Sequence, residues 1–269
     1  MCAPGEKESE RVRNLREVCA GLASSWGGKK TDLARAMMGE VDASGLDFNA
    51  DFVQMGYDKR SKPVNFEFAK MNGCVISGSK GSGKTNALGW IALGLTARKG
   101  ATVHIYEKGG GLGRLNPNAR VAKDGPVFDA AISEILTEYK NRSVSGISSP
   151  EIFVLIDDYL TMYDEILDET ADYLEELAKR GGEHGIFFYV AGDRQELTRF
   201  YNLAVPAFVN LLANKNAIAL GERLRDYNLF SNMHGETDIP IGNREGVLIS
   251  EGKVQLMKIA DVKEAVQNA

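Results

Sequence analysis

The chain has 269 residues, 43% hydrophobic and 26% charged, with a net charge of −5 and a pI near 5.4. That supplies ample apolar material for one large α/β domain with an appendage, or for two small domains. The acidic balance excludes a generally basic surface for DNA, leaving only a local basic groove open.

Residues 1–9 read as disordered. Val12, Leu15, Val18, Cys19 and Leu22 then form a helical stripe over residues 10–24 that stops at Gly27-Gly28. Thr31-Asp32 starts a shorter helix through Met38, and residues 40–62 read as polar and irregular, punctuated by Gly45, Gly56 and Pro63. Val64 to Phe68 alternates like a strand. From residue 73 the pattern becomes strand, helix, strand. Val75-Ile76 is a short buried strand, Asn86 to Arg98 a helix, and Ala101 to Tyr106 a second strand. The glycine run Gly109-Gly110-Gly111 with Gly113 reads as a flexible surface loop.

Phe128, Ile132, Ile135, Leu136 and Tyr139 mark one face of a helix over residues 126–143, and a turn covers Ser145 to Pro150. Ile152 to Ile156 is a strand apolar at every position, as expected when both faces are buried. A charged amphipathic helix over 165–180, a strand from Ile186 to Ala191, helical residues 194–212 broken at Pro206, and a strand from Ala217 to Leu220 follow. Gly221 to Phe230 reads as a short helix. Gly246 to Ser250 and Val254 to Ile259, joined around Glu251-Gly252-Lys253, read as a hairpin.

The longest apolar stretch, Ala87 to Ala97, is too short to span a bilayer, and the charged run Glu6 to Arg11 is wrong for a secretory signal. Three scattered cysteines, Cys2, Cys19 and Cys74, suit a reducing compartment without a disulfide framework. His104, His184 and His234 lack ligand spacing, so core or surface roles are expected of them. The chain as given therefore reads as soluble and cytosolic, and as a piece of something longer.

The chemistry centres on Gly78-Ser79-Lys80-Gly81-Ser82-Gly83-Lys84-Thr85, which fits the phosphate-binding pattern G-x-x-x-x-G-K-[ST] between a strand and a helix. Glycines let successive N–H groups converge on phosphate oxygens, and the following helix adds the partial positive charge of its N-terminus. Lys84 is placed to reach the β- and γ-phosphates and Thr85 to put a hydroxyl on Mg²⁺, so ATP and Mg²⁺ are the expected ligands.

Asp157 and Asp158 close the buried strand at its carboxyl end, where parallel sheets bind ligands. Asp157 is expected to hold Mg²⁺, directly or through water. Asp158 is expected to polarise the attacking water. An acid pair there can equally cap the next helix. Motor ATPases of this type more familiarly use Glu at the second position. Asp is one methylene shorter, and small misplacements cost around a hundredfold in rate. Strands alternating with helices predict a RecA-like P-loop α/β fold: a mostly parallel sheet, helices on both faces, and a C-terminal β-hairpin.

The run Pro63 to Lys70, then Gly73 to Ser77 with the P-loop, and Gly185 to Ala191 after an acidic strand end, resemble FtsK/SpoIIIE-type ATPases. The closer likeness is to the C-terminal, third ATPase domain of the type VII secretion motor, EssC/EccC. It rests on Gly221 to Phe230, on Pro240-Ile241-Gly242 before Gly246 to Ile249, and on the lead-in from Met37-Met38 to Gly56-Tyr57-Asp58. The resemblance spans roughly residues 35–260. It divides the chain into a linker extension (1–35), an ATPase domain (36–262) and a tail (263–269).

The resemblance implies a cytosolic module of a larger membrane-anchored chain. The implied partners are the preceding ATPase domains, exported WXG-type or effector proteins, and sister copies in a hexamer; DNA is not expected. It also implies a Gln sensor after the Gly-Ile strand, where this chain has Ala191-Gly192-Asp193, so binding with weak or conditional hydrolysis is expected. Arg223 and Arg225 fit either an arginine finger or a solvated helix face. A DNA translocase of the FtsK or conjugation-coupling type, and a nucleotide-independent adaptor on the same fold, are the alternatives.

Overall fold

The computed structural model describes residues 41–221 and 245–263. In chain order these hold β1 (Phe52–Tyr57), β2 (Pro63–Glu67), β3 (Cys74–Gly78), α1 (Lys84–Gly94), β4 (Thr102–Glu107), α2 (Leu112–Leu115), β5 (Arg120–Ala122) and α3 (Gly125–Ser145). They continue with β6 (Ile152–Asp157), α4 (Tyr159–Tyr163), α5 (Asp168–Arg180), β7 (Ile186–Asp193), α6 (Arg194–Asn202), α7 (Pro206–Ala213), β8 (Ala217–Leu220), β9 (Glu245–Ser250) and β10 (Lys253–Ile259).

All the strands join one ten-stranded sheet in the order β2-β1-β10-β9-β8-β3-β7-β6-β4-β5. From β8 to β5 neighbouring strands run parallel. From β8 to β2 they run antiparallel. Central β3 is buried at every position, and β6 at all but its last, which accounts for their unbroken apolar character.

Alternate residues of each strand feed opposite faces. Ile76, Leu155, Tyr189 and Ile218 pack toward α1 and its Trp90. Val75, Val154, Val190 and Ala219 pack toward Phe128, Leu174, Leu197 and Phe208, which come from α3, α5, α6 and α7. The sheet thus carries helices on both faces. Glu251 and Gly252 both have positive φ, 51° and 79°, the signature of the tight hairpin turn joining β9 and β10. The mostly parallel α/β fold and the C-terminal hairpin are as the sequence led us to expect.

Three expectations need correction. Residues 40–62 are not all irregular, because β1 lies within them with Val53 and Met55 fully buried. Its alternation breaks at Gly56, where a Cβ would stand 1.8 Å from the carbonyl oxygen of Lys258 on β10. The glycine-rich loop is ordered at its end as α2, and β5 adds a strand beyond it that no pattern suggested. The helix after the P-loop begins at Lys84 rather than Asn86 and gives way to a 3-10 turn at Leu95–Ala97. The helices expected over 10–24 and 31–38, most of Gly221 to Phe230, Pro240 to Gly242, Arg223, Arg225 and His234 lie outside the described residues.

His104 of β4 is 4% exposed and its Nδ1 has no hydrogen-bond partner among the described residues. Burial, and then the Arg120 guanidinium on the neighbouring strand, lower its pKa to about 4, against a weak opposing pull from Glu134. A histidine that resists protonation only when folded contributes stability fully above pH 6.5 and loses it as pH falls toward 4. The wild type should therefore lose up to about 3 kcal/mol over that window. His104→Gln should flatten the loss, as read by urea unfolding at pH 7.5 and pH 4.5. Equal pH sensitivity in both proteins would refute this.

Candidate functional site

The P-loop joins β3 to α1 as its spacing predicts. Gly81 and Gly83 have φ of 81° and 100°, in the left-handed region where a side chain is strained. Gly83 is the residue immediately before α1, and no side chain caps that helix end, so its leading N–H groups face the loop. A Cβ at Gly78 would come within 2.4 Å of Ser82 Oγ and 2.8 Å of the Leu220 carbonyl oxygen, so only glycine leaves this room. Ser82 Oγ is buried without a hydrogen-bond partner among the described residues. Lys84 Nζ donates to the carbonyl oxygens of Gly78 and Ser79, each at 3.0 Å, and so lies across its own loop. Ser79 is half-buried and Lys80 exposed.

Parallel pairing brings the acidic strand end to this loop. Ladders match Gly78 with Asp193, Asp157 with Ala191, and Glu107 with Asp157. Thr85 Oγ1 stands 2.9 and 3.2 Å from the two carboxylate oxygens of Asp157 and donates to them. Burial pushes the Asp157 carboxyl up. The Thr85 hydroxyl pulls it back, Asp158 and Glu107 push it further up, and Lys84 opposes them. Residues 72 apart in the chain thus share one site.

Asp158 is the residue before α4, and its Oδ1 accepts a hydrogen bond from Leu160 N at 3.1 Å. Its φ is 149°, a conformation that strains a non-glycine residue and is found where structure serves a site. The side chain therefore caps a helix while standing beside Asp157.

Two acids were not singled out from sequence. Glu107, 2% exposed, ends β4 opposite Asp157 and accepts from the N–H groups of Leu112 and Gly113 at 2.8 and 2.9 Å, which anchors α2 beside the site. Its signal was an acid closing an apolar strand, the same feature that marked Asp157. Glu196, in the first turn of α6, has its carboxyl pushed up by burial, then by the charges of Asp158 and Asp193, with Lys84 opposing. Asp193 itself accepts from Gln195 N at 2.9 Å. The carboxyl edge of the sheet therefore sets the charges of Asp158, Asp193 and Lys84 around the Glu196 carboxyl. Among the described residues no group of three or more His, Cys, Asp or Glu is gathered to hold a metal by itself. No described helix is long and apolar enough to cross a membrane.

No family model matches the chain, and no curated protein matches it. Solved structures do. EssC (ATPases 2 and 3) from Geobacillus thermodenitrificans aligns with a TM-score of 0.68 at 17% identity, over 96% of this chain and 52% of that one. Thermomonospora curvata EccC (ATPases 2 and 3), solved with a signal sequence peptide, gives 0.68 at 16% identity, over 82% of this chain and 43% of that one. The pCW3 conjugation coupling protein TcpA, solved with ATPγS, gives 0.59 at 16% identity, over 80% and 67% of the two chains. The chain spans about half the length of the EssC and EccC structures it matches. It therefore has the P-loop α/β fold of the EssC and EccC ATPase domains, and shares that fold with TcpA.

Proposed function

We propose that this chain is an ATP-binding P-loop domain of a protein-export motor of the type VII kind, with weak or conditional hydrolysis. The observation that carries the reading is the contact of Thr85 with Asp157 beside Lys84, which assembles a phosphate loop, a cation and a hydroxyl–carboxylate pair at one sheet edge. The residues present fit Mg·ATP. Gly81 and Gly83 supply left-handed turns, Ser82 Oγ is an unpartnered buried polar atom, and Thr85 with Asp157 offers the two oxygen ligands Mg²⁺ commonly takes from protein beside phosphate oxygens. Bound there, Mg²⁺ would neutralise charge on the β- and γ-phosphates.

Lys84, which rests on its loop carbonyls, would hold the phosphates, and the backbone N–H groups of Gly78 to Thr85 (Ser79, Lys80, Gly81, Ser82 and Gly83 between them) would line the cradle. Asp158 orients the attacking water and accepts its proton. Two features slow that step. Asp158 is short and tied to Leu160 N, and Asp193 stands where a polar sensor Gln is expected and adds negative charge beside an incoming polyanion. The EssC/EccC fold supports the further reading that preceding ATPase domains, exported WXG-type or effector proteins, and sister copies in a hexamer are the partners. It also supports a position at the cytosolic face of the membrane within a longer chain, with residues 36–262 as the ATPase domain.

Calorimetric titration with Mg·ATP tests this, beside Lys84→Ala and with phosphate release read in the same samples. Wild type should bind and release little phosphate. The variant should bind roughly 10–100-fold more weakly, the loss expected for a charged hydrogen-bonding group. Unchanged affinity in Lys84→Ala would remove the site assignment. The likeness to TcpA favours DNA translocation as a second reading. Salt-sensitive DNA binding that stimulates turnover would select it.

A further inference from the structure

β10 outruns its neighbour on one side. It pairs with β9 from Lys253 to Lys258, but with β1 only at Lys258 and Ile259, because β1 ends at Tyr57 and turns back into β2. Ala260 N donates to the Met55 carbonyl oxygen at 3.1 Å, so the backbone groups of Ala260 face β1. Backbone groups alternate in direction along a strand, so those of Leu256 and Val254 face the same side, where no described strand meets them. A cleft of about 280 Å³ lies at this notch, lined by Val254, Gln255 and Leu256 and by the charged residues of the β1–β2 turn. We propose that the notch is a docking site for an extended acidic segment of a partner protein, which adds to β10 as an antiparallel strand in line with β1.

Backbone, side chains and charge each point to that occupant. An edge with open N–H and C=O groups is a template for strand addition, and Val254 and Leu256 each present one pair toward the notch. Their side chains are half-buried and pack against the core that includes Val247 and Ile249, so alternate apolar residues of an added strand would extend that core. The turn sets Lys59, Arg60 and Lys62 against Asp58 along the cleft, a local excess of positive charge in a chain whose net charge is −5. Asp58 Oδ1 accepts from the backbone N–H groups of Arg60 and Lys62 at 2.7 and 2.9 Å, so the turn is held through their main chain while both residues stay exposed.

The direction of β10 sets where the acids belong. A strand antiparallel to it enters with its amino end at the turn, beside Met257, and leaves beside Lys253. Carboxylates at that amino end meet Arg60 and Lys62, and the apolar residues after them lie opposite Leu256 and Val254. A second copy of this chain would instead bring an identical basic turn to the edge, and like charges there repel. The notch lies at the other end of β10 from Ala260, whose carbonyl oxygen accepts from Asn86 beside the phosphate loop, so the proposal stands apart from the nucleotide reading.

The test uses the full chain and a probe peptide, Glu-Asp-Val-Thr-Val-Thr, acetylated at its amino end and carrying a neutral fluorophore at its carboxyl end, read by fluorescence anisotropy. Wild type should bind it saturably, and more weakly as salt rises. Arg60→Glu combined with Lys62→Glu should weaken binding by about tenfold or more and leave the melting temperature in place, because the turn is held by main-chain N–H groups. The same peptide N-methylated at both valines, which removes the N–H groups that would face Leu256 and Val254, should bind wild type about tenfold more weakly or worse. Absence of saturable binding to wild type overturns the proposal. Equal binding of the N-methylated probe overturns strand addition, and equal binding by the charge-reversed variant overturns the choice of an acidic segment. A concentration-dependent dimer of the free chain that the probe dissociates would make a second copy the occupant and overturn it as well.

Discussion

Replacing Asp157 with asparagine should cut Mg²⁺-dependent phosphate release by on the order of 100-fold, the scale of removing one preorganised electrostatic group from a reacting centre. The side chain keeps its shape, and its carbonyl oxygen can still accept from Thr85 Oγ1, so what changes is the charge. Affinity for ATP measured with excess chelator should stay within about threefold of wild type, a difference under 1 kcal/mol. The gain in affinity on adding Mg²⁺ should vanish. The fold should not suffer. Burial together with the charges of Asp158 and Glu107 already pushes the Asp157 carboxyl up, so a neutral group there relieves desolvation and repulsion. Melting at or above the wild-type temperature, with Mg²⁺ dependence lost, would tie Asp157 to the ion. A variant that keeps the full Mg²⁺ effect would release Asp157 from that role.

What was legible in the sequence is what the covalent chain writes locally. The P-loop is eight consecutive residues whose backbone requirements are met by their own glycines, so its place between a strand and a helix could be read before any packing was known. Asp157 and Asp158 were legible because an acid at the end of an apolar run stands out. The hairpin β9–β10 was legible from its Glu251-Gly252 turn.

The rest depends on partners far away in the chain. β1 was hidden because Gly56, which looks like a strand breaker, is the point where the Lys258 backbone passes too close for any side chain. α2 was hidden because its first N–H groups are satisfied by Glu107, across a glycine run that by itself reads as loop. The place of Asp193 beside Gly78 follows from the β3–β7 register, and the pressure on Glu196 from Asp158 and Asp193 follows from that. A departure from the expected Gln was visible in the sequence. Its consequence, a negative charge set beside Gly78 and acting on Glu196, needed the sheet.

Gly185→Ala should cost on the order of 3–5 kcal/mol of stability, in the upper range that overpacking and backbone strain together reach, while Gly146→Ala should cost about 1–2 kcal/mol. The two glycines look alike locally. Gly146 follows α3 with φ of 70°, and Gly185 precedes β7 with φ of 74°. Each therefore exacts the left-handed cost of any L side chain. They differ in what a Cβ would meet. At Gly146 nothing lies within 4 Å, whereas at Gly185 the Ser148 carbonyl oxygen would be at 1.9 Å and its carbon at 2.9 Å. The Gly185 backbone cannot withdraw cheaply. The Gly185 carbonyl oxygen accepts from Ile152 N at 2.8 Å at the start of β6, and Arg142 Nη1 holds the His184 carbonyl oxygen at 2.9 Å. Moving Gly185 away from Ser148 would therefore strain the amino ends of β6 and β7 together, the two strands whose carboxyl ends carry Asp157 and Asp193. Urea unfolding of the two variants isolates the contact, because their shared backbone cost cancels in the difference. If both lose the same stability, the close approach of Ser148 contributes nothing and the left-handed backbone accounts for the whole effect.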